Sequence, residues 1–185
     1  MKLQKDRQYE LRVNDKDGKG YVINNLHIEF TVTKNSNNKE KTNKATVKIF
    51  NLSEERQKWI EKDFSDVSLL VGYLDTGLYK LFTGQVTIVG TQKRGTETVT
   101  ELQVDTFYTG LNNTKISQTA PAGSTIKQVI ERVSKRLGTP KVVFSGNNIN
   151  KAFVDGYPII GTPRQVLNQI ATAYEIEWQV DDQIL

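Results

Sequence analysis

Leu26-His27-Ile28-Glu29-Phe30-Thr31-Val32-Thr33 alternates apolar and polar side chains, and Ala45-Thr46-Val47-Lys48-Ile49-Phe50 resumes the alternation after a polar gap. A period of two marks a strand that buries one face. Two such strands in succession predict a β fold. The gap, Lys34 to Lys44, holds four asparagines and four lysines. With no apolar residue to pack, it reads as a long exposed loop.

Reading outward from this pair, the chain keeps the same grammar. Ser53 stands before Glu54 and Glu55, an N-cap followed by acids placed on the helix dipole. The helix it opens should run to about Asp63 and bury Trp59, Ile60 and Phe64. Upstream, Tyr9 to Val13 alternates, and Asp15-Lys16-Asp17-Gly18-Lys19-Gly20 supplies turn chemistry. Downstream, Val67 to Tyr73, Tyr79 to Val89 and Thr96 to Phe107 read as strands. Asp75-Thr76-Gly77 and Lys93-Arg94-Gly95 turn between them. Long antiparallel hairpins of this kind close into a barrel or a sandwich.

After Thr114 the pattern changes, and Ala120-Pro121-Ala122-Gly123 is a plausible boundary. Ile126, Val129, Ile130, Val133 and Leu137 fall on one helical face, with Gly138 and Pro140 as stop signals. Lys141 to Phe144 is expected as a short strand, and Gly146 to Asp155 as a loop. Thr162-Pro163-Arg164-Gln165 has an N-cap threonine, proline at the first helical position and a capping-box glutamine. Val166, Leu167, Ile170, Ala171 and Tyr174 make the buried stripe behind it. Glu175 to Val180 alternates as a strand, and Asp181-Asp182 reads as a turn into another. The fold class expected is therefore α+β, mainly β. Residues 1–115 form an antiparallel β-barrel or sandwich domain with one short helix. Residues 116–185 form a small α/β domain, incomplete at its C-terminal end because a hairpin partner should begin where the sequence stops.

Composition excludes much chemistry. There is no cysteine, which removes disulfides, thiolate nucleophiles and cysteine-held metals. His27 is the single histidine, and on the polar face of its strand it reads as solvated. Asp15, Asp17 and Gly18 faintly suggest a calcium loop, but Val13 and Asn24 would stand at its two end ligands, so a hairpin turn is the better reading. Glu54/Glu55 and Asp181/Asp182 are sequence neighbours at a helix start and in a turn; facing catalytic carboxylates are not evident from such placement. No glycine-rich phosphate loop, apolar membrane span or secretory signal is present. The chain carries 25 basic and 21 acidic residues, a net charge of +4, with neither half a basic arm. Locally, residues 34–48 and 115–141 are basic. The second contains Lys115, Lys127, Arg132, Lys135, Arg136 and Lys141 against Glu131 alone. Either could meet phosphates, though no aromatics interleave as stacking platforms.

The segment Leu26 to Lys34 through Ala45 to Glu55, with Ile49-Phe50-Asn51-Leu52-Ser53 leading into a helix, resembles contractile-tail phage baseplate hub proteins. Phe82-Thr83-Gly84-Gln85-Val86 looks like the family's next strand, and Gly161 to Leu167 leading to Glu177 to Asp182 looks like its small α/β domain. These proteins have a tail-tube-like fold and are related to type VI secretion spike hubs. The resemblance implies a non-enzymatic structural component of a virion tail baseplate, made in the host cytoplasm. It joins tail tube to spike and forms part of a channel through which DNA passes without specific binding. The implied partners are the chain itself as a homotrimer, tail tube protein, spike protein and other baseplate proteins; no cofactor and no membrane span are implied. In the tube fold the loop after the second strand meets the neighbouring ring, which assigns Lys34, Lys39, Lys41 and Lys44 to an assembly interface. The basic clusters are then expected outside the lumen. The rival class is a nucleic-acid-binding module using segments 34–48 and 115–141, and a third is an enzyme with an acidic site.

Overall fold

A computed structural model describes residues 6–15, 17–34, 42–61, 65–137 and 141–181. Two compact units emerge, one of Met1–Lys34 with Asn43–Thr106 and the other of Asn35–Thr42 with Phe107–Leu185.

The first unit is a single antiparallel sheet. Its strands are β1 (Arg7–Asn14), β2 (Gly20–Ile23), β3 (Ile28–Thr33), β4 (Lys44–Phe50), β5 (Asp66–Tyr73), β6 (Gly77–Arg94) and β7 (Glu97–Asp105). They lie in the order β2-β1-β5-β6-β7-β4-β3. The alternation read from the sequence becomes an inner face of Leu11, Val13, Ala45, Val47, Ile49, Val67, Leu69, Phe82, Val86, Leu102 and Val104, all buried in one core. β2 and β3 are the two ends of this order, yet Asn24–His27 alone join them. A flat seven-stranded sheet would hold its end strands ~29 Å apart, and the five residue steps from Ile23 to Ile28 reach at most ~18 Å. The sheet must therefore curl until its ends approach. The Tyr9 hydroxyl donates to the Leu26 carbonyl within this junction. Of the two closures left open by the sequence, the curled sheet is nearer the barrel, but β2 and β3 share no ladder among the described residues.

The short helix α1 (Glu54–Ile60) buries Ile60 and lays Trp59 against the same core. Ser53 holds the N-cap position in extended backbone, but its side chain makes no capping bond. Instead the Gln57 amide donates to the Leu52 carbonyl. Phe64 lies outside the described residues.

The second unit contains α2 (Tyr108–Asn112), β8 (Ile116–Ala120), α3 (Ile126–Leu137), a 3-10 turn at Asn148–Asn150, β9 (Tyr157–Gly161) and α4 (Pro163–Tyr174). β8 and β9 pair antiparallel, from Ile116 opposite Gly161 to Ala120 opposite Tyr157. The apolar stripes of α3 and α4 meet in one core with Leu111, Ile159, Phe153, Trp178 and Val180. Leu111 belongs to this core, and the two compact units divide at Thr106/Phe107. The capping box at Thr162 and Gln165 is formed with Pro163 behind it. A reciprocal pair that the sequence reading did not single out opens α3: the Thr125 N–H donates to Gln128 Oε1 at 2.9 Å, and the Gln128 N–H to Thr125 Oγ1 at 3.2 Å.

Two strands expected in this unit are not strands. Val142 to Ser145 and Ile176 to Gln179 are irregular. Alternation creates a strand only where a neighbour supplies a ladder, and here the segments are held by side chains instead. Val142, Phe144 and Ile176 pack on the core, while Trp178 is buried in it and donates to Asn168 Oδ1 at 3.0 Å. The segment ends in a parallel bridge between Val180 and Thr42. Thr42, expected in an exposed loop, is accordingly buried, and so is Asn43, whose carbonyl accepts from the Thr106 N–H at 3.0 Å.

Candidate assembly surfaces

Among the described residues, no group of three or more His, Asp or Glu side chains could hold a metal, and no helix is long and apolar enough to cross a membrane. His27 is exposed, 4.7 Å from the Phe50 ring, with Nε2 3.9 Å from Glu29 Oε1. The Asp15 carboxylate accepts the Asp17 and Lys19 N–H groups, each at 2.9 Å. Gly18 adopts a positive φ of 77° in that turn. The Asp15 carboxylate thus shapes a hairpin turn. Glu54 and Glu55 occupy the first turn of α1.

The residues assigned to the assembly interface are only partly visible. Thr33 stands opposite Lys44 in the β3–β4 register, so Lys34 and Lys44 emerge at the same end of that hairpin, both exposed. Lys39 and Lys41 lie outside the described residues. Lys48, from the same basic segment, sits between Glu29 and Glu101 in the register, 4.0 Å from Glu101 Oε2. Its charge is spent within the sheet and does not extend the basic patch.

The second basic segment divides as well. Arg132, Lys135 and Arg136 are exposed on α3 and line a polar groove with Gln118, Ser124 and Gln128, which also contains Glu131. Lys127 instead lies over the Phe144 ring at 5.4 Å. Three of the six cations thus converge.

The sheet adds a surface that residue types alone did not reveal. At the mouth of its curled inner face, Tyr9, Val71, Tyr73 and Tyr79 form one wall of an apolar groove, and Ile28 and Phe30 another. Phe30 is 40% exposed and Tyr79 65% exposed, although their register partners Val47 and Val71 belong to or pack against the core. Burial raises the Tyr9 hydroxyl pKa above its ordinary value of 10.0. β6 is the other unusual element. Its first half pairs with β5 as far as Gln85, and its second half, from Gln85 to Arg94, pairs with β7. Beyond Val86, whose N–H reaches the Ser65 carbonyl at 2.9 Å, the flank of β6 away from β7 has no ladder among the described residues.

Residues 10–185 match the family model described as baseplate hub gp41. No curated protein sequence matches the chain. Among solved structures it is similar to the tail protein from Neisseria meningitidis MC58, at 13% identity and a TM-score of 0.62 over 96% of this chain and 48% of that one. It is also similar to the 43 kDa tail protein of prophage MuSo2 from Shewanella oneidensis, at 14% identity and a TM-score of 0.65 over 95% and 52%. A chain of the half-lidded Francisella PdpA-VgrG complex aligns at 8% identity and a TM-score of 0.59, over 94% and 29%. At these identities the likeness is one of fold. The chain spans about half the length of the two tail proteins.

Proposed function

The chain belongs to the baseplate hub gp41 family, a family of structural tail proteins, and on that premise we propose that it works as a hub joining tail tube to spike. The observation that carries this reading is the family match over residues 10–185. A mainly antiparallel β unit followed by a small α/β unit, shared in fold with two tail proteins, agrees with it. The part works by geometry and not by catalysis. Three copies surround a channel in the virion tail, DNA passes without being gripped, and tube protein, spike protein and other baseplate proteins are the partners. Lys34 and Lys44, with Lys39 and Lys41 between them in sequence, meet the neighbouring ring.

Native mass by light scattering at low and high salt tests the trimer, and co-sedimentation with assembled tube tests the junction. A salt-insensitive threefold mass and co-sedimentation are expected. Lys34→Glu combined with Lys44→Glu should weaken tube binding while leaving the trimer intact. Unaltered tube binding would remove these lysines from the interface.

One observation favours a second reading, the convergence of Arg132, Lys135 and Arg136 on a polar groove. A nucleic-acid-binding module predicts a monomer or dimer whose DNA affinity falls steeply with salt. Weakening of that affinity by Arg132→Ala and Arg136→Ala would support it.

A further inference from the structure

β8 and β9 form a two-stranded sheet in the second unit, and each has one edge without a ladder among the described residues. Pro158 decides which of the two edges is open. It stands opposite Thr119 in the register, and proline has no N–H to exchange across a bonded pair. Thr119 and Pro158 are therefore a pair without backbone bonds, and by alternation so are Ser117 and Ile160. On β9 the positions that turn outward are then Pro158 and Ile160, and the proline blunts that edge. On β8 they are Ser117 and Thr119, each with an N–H and a C=O to offer. β8 has neither a charge nor a proline, the usual guards of an uncovered edge.

α3 packs under β8 and α4 under β9, with the two helices side by side, so the flank of α3 turned from α4 runs beside the open edge. The polar groove lies there, with Gln118 of β8 on one wall and Arg132, Lys135 and Arg136 on the other. The side chains of these three cations make no ion pair among the described residues. Ser124 is only 7% exposed, lines the same groove, and has no partner for its hydroxyl among the described residues. A buried hydroxyl left in that state is a cost that a bound polar group removes. Gln128 spends its amide oxygen on the Thr125 N–H at 2.9 Å and leaves its NH2 to the groove.

We propose that this groove takes an extended acidic segment of another baseplate protein, which adds to the open edge of β8 and sets its carboxylates on Arg132, Lys135 and Arg136. A free strand edge recognises a polypeptide backbone, and guanidinium groups take carboxylates through paired hydrogen bonds. The spacings agree. Arg132 and Arg136 are four residues apart on α3, a rise of ~6 Å, and alternate residues of a strand stand ~6.7 Å apart. Acids at every second position therefore face the helix. Nucleic acid fits less well, because no aromatic side chain lines the groove as a stacking platform. Glu131 also stands in the groove; an evenly charged phosphate chain would meet it, whereas a polypeptide can place a neutral side chain there. The inference deepens the hub reading by naming one contact with a partner, and it rests on that reading for the partner being a tail protein.

The test is fluorescence anisotropy of a short labelled peptide, glutamate alternating with threonine, titrated with the full chain. Binding is expected, and Arg132→Gln combined with Arg136→Gln should weaken it about tenfold or more. Ser117→Pro removes an N–H that β9 does not use, so the sheet should survive while the peptide is held about tenfold less tightly. Ser117→Val keeps the donor and should bind as the unaltered chain does. Thermal unfolding reported by Trp178, which is buried in the second core, checks that each variant is folded. A peptide methylated on alternate backbone nitrogens needs no variant and should lose binding. Equal binding of the methylated peptide would reduce the contact to charge attraction and overturn the proposal, as would no binding of either peptide. Tighter binding of single-stranded DNA of equal length would overturn it in favour of the nucleic-acid reading. A trimer that co-sediments with the tube and ignores the peptide would remove this contact and leave the hub reading standing. Peptide binding by a chain that neither trimerises nor meets the tube would keep the ligand class and remove the hub reading.

Discussion

Tyr9 shows how one side chain holds the curled sheet at its junction. Its hydroxyl donates to the Leu26 carbonyl, in the link between β2 and β3. Tyr9→Phe should destabilise the first unit by about 1 kcal/mol in urea denaturation. The sign of the pH dependence follows from burial, which raises the folded-state pKa above 10.0. The neutral hydroxyl is the form the fold prefers, so its contribution is fully present below pH 10.0 and is lost as pH rises through the folded value. Tyr9→Phe should therefore flatten part of the alkaline loss of stability. An unchanged alkaline profile would show that other groups cause it. Gly72 is a second critical position. A Cβ placed there would stand 1.9 Å from the Gly77 carbonyl oxygen, a backbone atom with little room to retreat. Gly72→Ala should cost about 2 kcal/mol or more, seen as a lowered urea midpoint. Neither role is marked in the sequence: that of Tyr9 depends on what the curled sheet brings alongside, and that of Gly72 on how closely the β5–β6 hairpin returns on itself.

At the scale of elements, helix boundaries were the most legible feature. Thr162, Pro163 and Gln165 predict the start of α4, and each takes its expected place. Thr162→Ala should cost about 1 kcal/mol of second-unit stability, measured by thermal unfolding, with Thr162→Ser nearly neutral. The apolar stripes of α3 and α4 were equally plain, since apolar residues spaced three and four apart over several turns mark one face of a helix. Strands were harder. β3, β4, β5 and β7 announce themselves by alternation, but β8 and β9 are five residues each, too short for a period to establish itself. Val142–Ser145 and Ile176–Gln179 show the opposite failure: they have the composition of strands and lack the ladder. The exposed edge of β6 was invisible for the same reason, because register decides which neighbour each half of an 18-residue strand keeps.

For the whole molecule, two separate cores predict two local responses to substitution. Leu102 is buried in the first core and Leu167 in the second. The two tryptophans divide in the same way, Trp59 against the first core and Trp178 within the second. Leu167→Ala should shift the unfolding reported by Trp178, in a Trp59→Phe background, by about 2–5 kcal/mol. The Trp59 signal, in a Trp178→Phe background, should move less. Leu102→Ala should reverse that ranking. Equal shifts in both signals would show that the two cores unfold as one.

Residue types and short periods were enough to establish that this protein is mainly β with a helical second part, that it has no cysteine chemistry, and that its strand-to-helix segment resembles the baseplate hubs. Those properties are local, and each can be read from a few consecutive residues. Tertiary packing was needed to learn that the sheet curls until β2 and β3 approach, that Thr42 and Asn43 are buried, and that only three cations of the second basic segment share a groove. It also fixed which strand edges stay uncovered among the described residues. These features depend on partners distant in sequence, since a hydrogen-bond ladder and a buried face are properties of pairs of segments and not of either segment alone.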